Sequence, residues 1–130
     1  MNPKVGRREA RRTALFLLYQ SDLTGQPLAA LYEGVPDEFA HGLAEAVLER
    51  ADELDRRITE SADDWTADRL GTLERNVLRI GVYELEEGSV PHEVAINEAV
   101  VLAKRFASDE AGRLVNGILA RVAREEGAAA

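Results

Sequence analysis

From Ala111 to Val122 an apolar stripe occupies positions 111, 114, 115, 118, 119 and 122, a spacing that only an α-helix gathers onto one face. The same period recurs along almost the whole chain, and no segment alternates apolar and polar residues as a half-buried strand must. The expected fold is therefore all-α: a compact bundle of about five main helices plus short helical pieces, forming one domain over residues 1–130. At 130 residues such a bundle can bury a core without staples, and 45% hydrophobic with 31% charged residues suits an ordinary globular chain.

Local signals place the boundaries. The first helix is expected from Arg7 to about Asp22, with Ala10, Ala14, Leu17 and Leu18 as its stripe, ended by Gly25 and Pro27. A short piece follows near Leu28–Glu33. Pro36 suits a first helical turn, and Asp37 and Glu38 suit its dipole, for a helix reaching Ser61 with Phe39, Leu43, Val47, Ala51, Leu54 and Ile58 on one face. Trp65–Leu70 forms another helical turn. Thr72 is the expected N-cap of a helix ending at Glu87, Gly88 and Pro91 punctuate, His92–Ala107 is the next helix, and Ser108 caps the last. Asn116-Gly117 signals a hairpin turn when isolated, but here it interrupts nothing in the strongest helical stripe, which takes precedence. The tail, residues 127–130, is expected to fray.

Charge is distributed against local stability. Lys4, Arg7, Arg8, Arg11 and Arg12 give the first twelve residues a net charge of +4, with Glu9 the single acid, whereas the whole chain stands at −8. A helix N-terminus carries partial positive charge, so each cation there costs up to about 1 kcal/mol. At 100° per residue Arg7, Arg11, Arg8 and Arg12 span roughly 0° to 140°, beside the stripe of Ala10, Ala14 and Leu17, while Glu9 points elsewhere. A ridge of planar guanidinium groups on an acidic body suggests a localised polyanion contact. The alternative is a solvated face whose arginines pair with acids elsewhere in the chain. Leu15 and Tyr19 continue the same sector and suit either a protein contact or cover by a neighbouring helix.

Other classes find little support. There is no Cys, so disulfides, zinc–thiolate sites and thiol nucleophiles are excluded together, in keeping with a reducing cytoplasm. No segment approaches a membrane span, and no secretory signal follows the charged N-terminus. His41 and His92 lack metal-ligand spacing, and Walker, GxGxxG and GxSxG patterns are missing, so neither enzyme nor cofactor is expected.

Four strings in order, RREARRTALFLLYQ from Arg7, ERNVLRIGVYEL from Glu74, VPHEVAINEAVVLAKRF from Val90 and LVNGIL from Leu114, resemble the NusB family and cover nearly the entire chain. The resemblance implies a transcription antitermination factor. It would bind the boxA element of nascent ribosomal-operon RNA, pair with a small-subunit ribosomal protein called NusE in this role, and join an RNA polymerase assembly. It makes Arg7, Arg8 and Arg11 RNA-facing, adds Arg79, Lys104 and Arg105 as RNA candidates, and matches Tyr19 and Glu74 to the ribosomal-protein surface. Leu114 stands where many members carry an aromatic ring. Two alternatives stay open: an RNA-binding module like that of ribosomal-RNA cytosine methyltransferases, against which the chain's end at Ala130 speaks, and a helical protein-interaction module indifferent to RNA. Exposed patches such as Tyr19 equally suit a homodimer.

Overall fold

The computed structural model describes residues 6–34, 37–62 and 70–129. Six α-helices follow one another: α1 (Arg7–Thr24), α2 (Glu38–Glu49), α3 (Ala51–Ser61), α4 (Thr72–Glu87), α5 (His92–Phe106) and α6 (Asp109–Ala129), with a 3-10 turn at Leu28–Ala30 before α2. No strand occurs among the described residues. The all-α expectation holds, and Asn116-Gly117 lies within unbroken α6. The helix also continues through Gly127 to Ala129, where fraying was expected.

Helix ends follow the capping chemistry, with one exchange. The Asp37 side chain accepts from the Ala40 N–H at 2.9 Å, and Ser108 Oγ accepts from the Ala111 N–H at 3.0 Å. Thr72, expected as a cap, is instead the first helical residue. Gly71 takes the N-cap position without a side-chain bond. Gly25 and Gly88 end α1 and α4 at φ 73° and 72°, the left-handed conformation in which glycine carries no Cβ penalty. The expected turn at Trp65–Leu70 lies outside the described residues, Leu70 excepted.

The single helix expected from Pro36, which lies outside the described residues, to about Ser61 is two. It breaks at Arg50, where φ −106° and ψ 16° interrupt the path. Neither Gly nor Pro marks the site. The break lets α2 pack on α1 while α3 turns to cover α4 and α6. Arg50 bonds Glu53 and Glu86 and lies over the Tyr83 ring, which ties the corner to α4.

α4 is the central element and packs against each of the other five helices. Val77, Leu78, Ile80, Val82 and Leu85 are all buried, and so are Asn76, Arg79 and Glu84. A central helix must satisfy such groups internally. It does so at both ends: Arg75 and Arg79 meet Asp22 near the end of α1, and Glu84 meets Arg11 near its start. These crossed ion pairs show α1 and α4 to be antiparallel.

Candidate nucleic-acid interface

Arg11 does not belong to an exposed ridge. It is 3% exposed, with Nε donating to Glu84 Oε1 at 2.8 Å and Nη2 to Oε2 at 2.8 Å. The reason is the breadth of the buried sector on α1. It runs from Leu17 at about 280° through Ala10, Ala14 and Leu18 to Leu15 at about 80°, so Arg11 at about 40° falls inside it. Leu15, proposed as a partner contact, is fully buried in the core for the same cause. Arg79 is likewise withdrawn from any RNA surface. Its fork meets both oxygens of Asp55 at 2.7 and 2.6 Å, and Nη1 reaches Asp22 and Asn76. Burial alone would lower the Arg79 pKa, but the hydrogen bond and charge of Asp55, then Asp22, outweigh it and raise it.

The remaining cations are placed differently. Arg7 is exposed, its guanidinium 3.9 Å from the Phe39 ring centroid on α2. Arg8 is 65% exposed and pairs with Glu98 of α5 at 3.0 Å. Arg12 pairs with Glu9 at 3.3 Å, so Glu9 faces this surface and does not point away as expected. Exposed pairs of this kind contribute about 0–1 kcal/mol, which leaves both arginines free to exchange their carboxylates for another anion.

A cleft explains what these cations share. Arg8 meets Glu98, and eight residues further along each helix Phe16 meets Phe106 edge-on, with centroids 4.9 Å apart. Equal steps of about 12 Å along both helices make α1 and α5 parallel. They run side by side without close packing. Between the two contacts lies a cleft of about 480 Å³ lined by Arg8, Glu9, Arg12, Val101, Leu102, Arg105 and Phe106. Three guanidinium groups from two helices thus surround an apolar floor that ends in an aromatic ring. Arg105 also lies 5.2 Å from the Phe106 centroid.

The other sequence candidates lie apart from this cleft. Lys104 is exposed at the α5–α6 corner, its stem over Gly112, where a Cβ would come within 2.5 Å of Lys104 Cγ. Tyr19 is half-buried further along α1. Glu74 and Leu114 line a second groove of about 540 Å³ between the starts of α4 and α6, with Arg113 beside them. Lys4 lies outside the described residues.

Sequence reasoning missed Glu84, Glu98, Phe16 and the role of Phe106. A signal existed for the acids. Glu84 follows Val77 by seven and Ile80 by four, and Glu98 lies three after Ala95 and four before Leu102, so both occupy core-facing stripes. An acid in such a place needs a partner.

The NusB family model matches residues 8–124. The transcription antitermination protein NusB of Salinispora tropica is 39% identical over 128 residues, covering 90% of this chain and 94% of that protein. Its counterpart in Rubrobacter xylanophilus is 38% identical, covering 88% of each. Among solved structures, T. maritima NusB superposes with a TM-score of 0.83 at 32% identity, covering 95% of this chain and 94% of that one. A chain from the crystal structure of the antitermination factors NusB and NusE in complex with dsRNA gives 0.81 at 32% identity, covering 92% and 96%.

Proposed function

This chain belongs to the NusB family, and we propose from that premise that it is a non-catalytic transcription antitermination factor acting in the cytoplasm. It binds boxA-type single-stranded RNA of ribosomal operons through the α1–α5 cleft, together with NusE, within an RNA polymerase-associated assembly. The observation that carries the RNA reading is the convergence of Arg8, Arg12 and Arg105 with Phe106 on one cleft in an otherwise acidic protein. Planar guanidinium forks suit phosphate oxygens, and the Phe106 ring gives an unstacked base an apolar surface. Arg7 at the start of α1 and Lys104 at the α5–α6 corner extend the positive edge. Tyr19 and Glu74 are the proposed NusE contacts. Their separation from the cleft lets RNA and protein bind the chain at the same time.

The relative's complex holds duplex RNA, so the test compares both forms. Fluorescence anisotropy with single-stranded boxA-type RNA, and with its duplex, is measured with and without NusE over a range of salt. Neutralising about three or four phosphates predicts a log–log salt slope of roughly −2 to −3, tighter binding of the single strand, and further tightening by NusE. Replacing Arg8, Arg12 and Arg105 together by Ala abolishes this binding without unfolding the protein. A salt-independent affinity, or an unaffected triple variant, overturns the assignment.

A further inference from the structure

Glu9 lines the cleft and Glu98 pairs with its Arg8, and the two acids differ in freedom. Glu9 is 62% exposed and can swing away with its partner Arg12. The Glu98 side chain is only 14% exposed, while that of its partner Arg8 is 65% exposed. In this pair the anion is fixed and the cation is mobile. Glu98 accepts from Arg8 Nε through both oxygens, at 3.0 and 3.3 Å, and lies 3.8 Å from Arg11 Nη1. Arg11 is itself committed to Glu84 by three hydrogen bonds of 2.8 to 3.0 Å, so it holds Glu98 in place without neutralising it fully. Glu98 also sits one turn before Val101 and Leu102, which line the cleft.

Resting on the RNA reading of that cleft, we propose that Glu98 governs its occupancy as a built-in counter-anion. In the free protein it holds Arg8. A phosphate entering the cleft must take Arg8 over from Glu98. Anions that bring only one charge gain little from this exchange. A nucleic-acid strand engaging Arg8, Arg12 and Arg105 together gains enough to complete it. Glu98 therefore sets a threshold that favours multivalent RNA over single anions and is a specificity-determining residue of the site.

The experiment is a double-mutant cycle in the full chain, read by anisotropy with single-stranded boxA-type RNA at low salt. Variants are Glu98→Gln, Arg8→Ala and both together. Glu126→Gln, on the Arg57 cluster, is a control with the same change in charge. Freeing Arg8 from its fixed counter-anion is expected to tighten binding roughly five-fold, against less than about two-fold for the control. The gain should vanish in the Arg8→Ala background, because nothing remains to be released. An E98Q effect no larger than that of E126Q, or one that persists without Arg8, overturns the proposal while the cleft keeps its RNA role. An Arg8→Ala variant that binds as well as wild type overturns the cleft assignment itself. Should E98Q not fold, Glu98→Asp, which withdraws the carboxylate from Arg8 but keeps charge beside Arg11, is expected to tighten binding more weakly. An unchanged E98D affinity then counts against the proposal.

Discussion

Replacing Arg11 by Ala separates the two roles open to a cation in the first turns of α1. Were Arg11 part of a solvent-facing ridge, its loss would weaken RNA binding and leave the fold intact or improved. The structure predicts the opposite order of effects. The Arg11 and Glu84 side chains are 4% and 5% accessible, and no other hydrogen bond to the Glu84 carboxylate is found among the described residues. Truncating Arg11 strands a buried carboxylate, at a cost of about 3–5 kcal/mol. For a domain of this size that lowers the thermal midpoint by roughly 10–20 °C. Arg8→Ala, which removes an exposed cation and leaves Glu98 beside Arg11, should cost far less, about 1 kcal/mol. Circular-dichroism melts and urea titrations of both variants measure the contrast. A double variant, Arg11→Met with Glu84→Leu, should recover most of the loss, since an apolar pair of similar volume avoids desolvating two ions. Below its melting point R11A should bind RNA far better than R8A does. An R11A midpoint within about 3 °C of wild type, with RNA binding lost, would refute the buried-clasp reasoning.

Two further outcomes follow from the same packing. Burial alone would raise the Asp22 carboxyl, but hydrogen bonds from Asn76 and Arg75 and the charges of Arg79 and Arg75 hold it below its ordinary value of 3.8. A depressed carboxylate contributes stability above its unfolded pKa and loses it as pH falls through the folded one. The stability gap between wild type and Asp22→Asn, about 1–3 kcal/mol near pH 7, should therefore close below about pH 4 in urea titrations run across pH. Gly81 and Gly117 should respond with opposite signs to Ala. A Cβ on Gly81 would meet Leu119 Cδ1 at 2.6 Å in the buried α4–α6 contact, so overpacking should cost about 1–3 kcal/mol. One on Gly117 meets nothing within 4 Å, so the better helix former should add about 0.5–1 kcal/mol in the same melts.

The bundle was legible because its signals are local. The stripe Ala111–Val122 overrode the turn signal of Asn116-Gly117, since a helix face is set by residues three and four apart. Ser108 announced its cap for the same reason. The break at Arg50 was not legible, because it answers to a tertiary demand. One segment had to cover α1 and then α3 had to cover α4, and Arg50 is held at the corner by Glu86, thirty-six residues away.

The candidate site divides in the same way. Sequence by itself determined that cations crowd the start of α1 and that the helix turns one side inward, because charge count and period 3.6 need no partner. It could not say which cations remain free. Arg11 and Arg8 belong to one patch in sequence, yet one is clasped by Glu84 from seventy-three residues away while the other stays in solvent beside Glu98. Arg105 enters the cleft only because α5 lies parallel to α1, and Arg79 leaves it because Asp55 and Asp22 reach it inside the bundle. Only tertiary structure decided these outcomes. A guanidinium group follows whichever carboxylate the fold brings to it, and the burial of that carboxylate determines how firmly it is held.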